Sequence, residues 1–193
     1  SIGHQVDRPE LVLDACRRLH LGGPLNLRTT KRMVSAATKI GDAAQIVEAM
    51  TLLAAFDTDY SSSLRNSFLA CLDSDDDQHR QTLLGLTKNE PQRIDLEALS
   101  LAHQADFHGA LAYLNEQLKS YPEEIPMLMR KANLQRRCGM NEEAIFTCEQ
   151  VLKIQPTHQG AAMLRTDVGT KVWPDEKALK EYELMVEQFP HVP

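Results

Sequence analysis

A chain of 193 residues with 42% hydrophobic and 25% charged residues has the balance of a soluble protein, long enough for one globular core or one elongated repeat domain. Aromatic residues are only 5% of it, which favours helices, because strands draw on β-branched and aromatic side chains. A formal net charge of −6 argues against general nucleic-acid binding, which needs a basic surface, and no run approaches the roughly 20 apolar residues of a membrane-spanning helix.

Taken in chain order, the sequence opens at Ser1 with no Met and no signal-peptide pattern and stops at Val192-Pro193, as an excised domain would. Asp7, Pro9 and Glu10 read as a helix start with a capping box, and Gly22-Gly23-Pro24 supplies its stop. Thr30 to Ile40 and Ala43 to Phe56 predict a helical hairpin around Gly41-Asp42. Ser61 to Leu72 and Gln78 to Leu86 predict another around an acidic run. The turns at Gly41, Ser74 and Ala105 are separated by 33 and 31 positions, so residues 1–90 are expected to be degenerate hairpins continuous with the second half of the chain. A separate helical bundle that docks or dimerises is the alternative.

The second half repeats itself. Pro122, Pro156 and Pro190 recur at a constant spacing of 34 positions, and so do Ala110, Ala144 and Ala178. Behind each Ala come an aliphatic residue (Leu111, Ile145, Leu179), a core-type residue (Leu114, Cys148, Tyr182) and another aliphatic (Leu118, Leu152, Val186), which trace one helical stripe. The small Ala permits close helix approach, the larger residues fill the groove, and the Pro ends the helix. A second helical segment precedes each Ala, joined to it by Gln104-Ala105-Asp106, Cys138-Gly139-Met140 or Val172-Trp173-Pro174. Gly139 suits the left-handed end of a helix.

These residues resemble the tetratricopeptide repeat, with a small residue in the first helix (Ala98, Ala132, Thr166), Ala in the second and Pro at the end. The resemblance implies an all-α fold, an α-α superhelix of about 11 helices by our count of the segments, with three units at 91–124, 125–158 and 159–192 within 91–193. Two departures stand out. Glu97, Lys131 and Arg165 occupy the place of an aliphatic residue, and Trp173-Pro174 stands where Gly is expected.

Chemistry is hard to find in the chain. Asp73-Ser74-Asp75-Asp76-Asp77 opens like a calcium loop, but Gln78 and Leu84 stand where that loop needs Gly and Glu, so the acids are expected to cap a helix. There is no GxSxG, Walker loop, GxGxxG or HExxH, and the seven histidines do not pair with Cys or carboxylates at ligand spacing; no enzyme, metal or cofactor is expected. Cys16, Cys71, Cys138 and Cys148 form no CxxC pair, which suits free thiols in the cytoplasm, although one or two bridges would be possible in an oxidising compartment. Cys148 falls in the apolar stripe and reads as a small buried hydrophobe.

Function is therefore expected to be partner binding. In stacked hairpins the first helix of each pair lines a concave surface. His103, Arg137 and Lys171 share one repeat column, and Arg130, Asn133 and Arg137 fall at i, i+3 and i+7 on one face, a basic strip suited to an acidic peptide or a C-terminal carboxylate. The carboxylate clamp of chaperone-binding members does not fit, because only Asn133 matches it while Met129, Gly160 and Leu164 do not. A second contact face is expected on the last helix, where Leu179, Tyr182, Met185, Val186 and Phe189 have no following repeat to cover them. It would meet a partner, missing sequence or another copy, making a homo-oligomer. The alternative function is an accessory array of a larger enzyme, such as a glycosyl- or sulfotransferase.

Overall fold

The structure, a computed structural model, describes residues 8–22, 26–57, 59–73 and 77–189. All the regular structure among them is helical, in eleven helices, and they group into two compact units, 1–88 and 89–193. Asp7, Gly23-Pro24, Ser74 to Asp76 and Pro190 to Pro193, which the sequence marks as a cap, a stop, an acidic loop and a repeat end, lie outside the described residues.

The first unit holds α1 (Pro9–Gly22), α2 (Leu27–Ile40), α3 (Ala43–Phe56), α4 (Ser61–Ala70) and α5 (Asp77–Gly85). Its turns follow from local chemistry. Gly41 takes φ +79° and closes α2, and the Asp42 carboxylate then accepts the Gln45 N–H at 3.0 Å to open α3. Met33, Ile46, Met50, Leu53, Leu64, Phe68 and Leu83 form its core. The Tyr60 hydroxyl donates to the Leu86 carbonyl at 2.7 Å, fastening the start of α4 to the end of α5.

The second unit is three hairpins: α6 (Glu90–His103) with α7 (Phe107–Gln117), α8 (Ile125–Arg137) with α9 (Asn141–Ile154), and α10 (Gln159–Gly169) with α11 (Asp175–Gln188). The second helices start at Phe107, Asn141 and Asp175, one full period apart each time. Ala110 and Ala144 are fully buried at the helix contacts, as their column requires. Leu111 and Leu114 pack in one cluster with Met127 and Leu134 of α8, and Ile145 and Cys148 pack with Leu164 and Val168 of α10. α8 and α10 thus seal α7 and α9, the second helices before them, and each large apolar side chain buried this way contributes about 2 kcal/mol.

The turns inside the hairpins explain one departure. After α6 and α8 the chain makes the same closure: the Asp106 N–H reaches the Leu101 carbonyl and the Met140 N–H reaches the Gln135 carbonyl, with Ala105 at φ +62° and Gly139 at φ +75°. The third turn is built otherwise. The Trp173 ring lies against Gly169, so close that a Cβ there would sit 2.2 Å from a ring carbon, and Trp173-Pro174 then leads directly into α11.

Candidate functional site

The polar residues Glu97 and Arg165, which stand in the place of an aliphatic residue, are clasps within their hairpins. Glu97 accepts from the Tyr113 hydroxyl and pairs with Arg93 at 2.9 Å, and Arg165 pairs with Glu181. Both clasps join residues 16 apart, one on each helix of a hairpin. Burial and the Glu97 carboxylate push the Tyr113 phenol well above its usual range. The middle hairpin has a different clasp, Thr147 donating to Gln135 at 2.8 Å, and Lys131 is left half-buried with its pKa lowered by desolvation.

The expected basic strip divides. Arg130 belongs to a structural pair: its Nε and Nη2 donate to the two carboxylate oxygens of Asp95 on α6, at 2.9 and 2.8 Å, with little solvent access to either side chain. It is not available as a groove cation. Arg137 and Asn133 are exposed on α8. The Arg137 guanidinium stacks 5.3 Å from the centre of the Phe107 ring, which orders it without neutralising it. The Asn133 amide donates to the Met129 carbonyl at 2.9 Å, and that leaves its oxygen to accept from a partner.

His103 is the last residue of α6 and Arg137 the last of α8, whereas Lys171 lies two residues past the end of α10, in the turn. All three are exposed, so the column is a row of side chains at the C-terminal ends of the first helices, where helix dipoles favour positive charge. Beside it Arg136 reaches Asp167 at 3.6 Å and bridges α8 to α10. Sequence reasoning missed the Asp95 and Asp167 contacts; the signal for the first was an acid 35 positions before Arg130, one off the period.

The last helix also divides. Leu179, Tyr182 and Val186 are exposed, while Met185 and Phe189 are half-buried. Met185 turns into a cleft beneath α11, left because Ala162 occupies the column that Ile94 and Leu128 fill in the first two hairpins. Leu152, Leu184 and Thr166 line the same cleft.

Asp77 starts α5 and pairs with Arg80 at 3.2 Å, and Leu84, twelfth in the acid-led stretch, is buried in the core. All four cysteines are free, and burial pushes the Cys148 thiol up to about 12. Among the described residues no group of acids, His and Cys is placed to hold a metal ion, and no helix is long and apolar enough to cross a membrane.

A constant repeat period, paired helices, a buried Ala in each of the first two second helices and a sealing first helix in the next hairpin define a helical-hairpin repeat fold of the tetratricopeptide kind. In sequence the chain is similar to human tetratricopeptide repeat protein 7B, 35% identical over 71 residues, and to the mouse protein of that name, 34% identical over 71 residues. Those matches cover 37% of this chain and 8% of each relative, so the chain spans a small part of the length of the curated proteins it matches. No protein-family model matches it. In structure it is similar to MamA, with a TM-score of 0.53 at 12% identity over 84% of this chain and 91% of that one. It is also similar to YrrB, described as a tetratricopeptide protein with an unusual peptide-binding site, with a TM-score of 0.51 at 11% identity over 93% and 94% of the two chains. At such identities the likeness is one of fold.

Proposed function

We propose that the second unit is a non-catalytic scaffold that holds an acidic peptide or protein segment along the concave side of its first helices, with Arg137 and Asn133 at the centre and His103 and Lys171 on either side. The observation that carries this reading is the exposed basic row, one side chain per hairpin at the repeat period, at the C-terminal ends of first helices that pack directly on one another. Packed helix axes are about 8–10 Å apart and an extended chain advances about 3.3 Å per residue, so acids about three residues apart would meet successive members of the row. The unusual peptide-binding site for which YrrB is described supports a peptide ligand for this fold. A reducing compartment such as the cytoplasm suits the four free thiols.

The experiment is a pull-down with the intact chain and with Asn133→Ala/Arg137→Glu. Both positions are exposed, so the double variant keeps its fold by circular dichroism. Loss of acidic partners is the expected result; capture of every partner at wild-type level overturns the proposal.

A further inference from the structure

We infer that α10 is held at its start by a proton-sensitive cap, so that protonation of His158 loosens the seam between the second and third hairpins. His158 stands immediately before α10, and its imidazole Nδ1 accepts the Ala161 N–H at 3.0 Å, which the His158 carbonyl also accepts at 3.1 Å. The half-buried ring lies over Gly160, where a Cβ would come within 3.4 Å of its Cε1. Only the neutral ring that carries its proton on Nε2 makes this bond. Asn26, Asp42, Asn89 and Asp106 cap α2, α3, α6 and α7 in the same way, but with oxygens: amides do not titrate, and carboxylates keep their charge down to about pH 4. An imidazole takes its second proton near pH 6.5, at about the pH of mildly acidic surroundings. Nδ1 then becomes a donor facing a donor, and the ring sets a positive charge where the helix dipole is already positive.

The capped turn is where the two hairpins meet. Ala161 is fully buried in a cluster with Leu128 of α8 and Val151 of α9, bordered by Ile125, Met129 and Leu152. The charged residues on the elements around that turn are accounted for. Glu123 and Glu124 lead into α8, and Arg130 within it is held by Asp95. Glu149 and Lys153 lie on the last turns of α9, Arg165 of α10 pairs with Glu181 of α11, and Glu187 closes α11. Among the described residues none of them forms an ion pair with His158, so no acid offsets the cost of the lost cap. In the unfolded chain the same proton breaks no cap. Acid therefore favours opening of this turn: the contribution of the cap is present at neutral pH and is lost as the pH falls.

The test is nuclear magnetic resonance on the whole chain at about pH 7.5 and about pH 5.5, on either side of the imidazole range. It reads the imidazole nitrogen shifts and the exchange of the Ala161 amide hydrogen, corrected for intrinsic pH dependence, in wild type, His158→Asn and His158→Ala, with the fold of each variant checked by circular dichroism. At the higher pH the bare nitrogen of His158 is expected to be Nδ1, with wild type and His158→Asn protecting Ala161 alike and His158→Ala protecting it about twofold less. At the lower pH wild type alone is expected to lose protection, by about fivefold, because the lost cap and the added charge act together. A wild type that loses no more protection than His158→Asn overturns the inference. So does a His158→Ala that matches wild type at the higher pH, or a bare nitrogen that is Nε2. Where a variant does not fold, the wild-type titration decides alone: the His158 ring and the Ala161 amide resonance share one midpoint, and an Ala161 resonance that ignores the protonation of the ring overturns the inference.

Discussion

Asp95 and Arg130 form a two-point ion pair between the first helices of neighbouring hairpins, Nε to Oδ1 at 2.9 Å and Nη2 to Oδ2 at 2.8 Å. The side chains retain only 11% and 12% exposure, so the pair fixes the register of α8 on α6 and removes Arg130 from the surface that a partner could reach.

Breaking that pair from one side leaves a charge buried without compensation. Asp95→Leu is expected to lower stability by about 3 kcal/mol, whereas Asp95→Leu with Arg130→Met restores most of the loss, because a well-packed apolar pair removes the desolvation cost along with the attraction. Urea denaturation of the two single variants and the double variant measures the coupling.

Ala105 and Gly139 share a left-handed turn position but only one of them suits it. Ala105→Gly is expected to raise stability by about 1 kcal/mol and Gly139→Ala to lower it by a similar amount. A Cβ at Gly139 meets nothing within 4 Å, so the effect there is conformational. Opposite shifts of the denaturation midpoint are the expected readout.

Gly169→Ala drives a methyl group into the ring of Trp173, the single tryptophan of the chain, which is flanked by Arg165 and Lys177. The ring must leave its seat, so a red shift and loss of intensity contrast in tryptophan emission are expected without unfolding of the first two hairpins. An unchanged spectrum contradicts this account of the third turn.

The Cys148 thiol sits at about 12 against an ordinary 9.0 because burial disfavours the thiolate. A raised pKa in the folded state means that its contribution is fully present below pH 9, where folded and unfolded forms are both protonated. It is lost as the pH climbs from 9 toward 12, where only the unfolded form ionises. Alkylation mapped by mass spectrometry at pH 8.5 is expected to modify half-buried Cys138 first and Cys148 only on unfolding.

Much of the fold was legible because the second helices carry their instructions locally. Ala110 with Leu111 and Leu114, and Ala144 with Ile145 and Cys148, repeat both their spacing and their burial. Gly41-Asp42 announced its turn by the residues that cap helices. The first helices were harder to read because their contacts depend on which neighbour packs against which face. Arg130, Asn133 and Arg137 share a face by spacing, yet Asp95 claims the first of them from another helix. Glu97 and Arg165 looked like lost core positions until Tyr113 and Glu181 supplied their partners from across each hairpin. In α11 the apolar residues were all visible, but only the packing on α10 separates inward Met185 from outward Tyr182.

The most direct test of the binding account is a fluorescence-anisotropy titration of an extended peptide bearing Asp at every third position. Wild type should bind it with an affinity that falls as salt rises, Arg137→Glu should bind at least about tenfold more weakly, a loss of about 1.4 kcal/mol, and Arg130→Ala, corrected for its folded fraction, should bind as wild type does. Equal affinity in wild type and Arg137→Glu, or a loss confined to Arg130→Ala, would contradict the account.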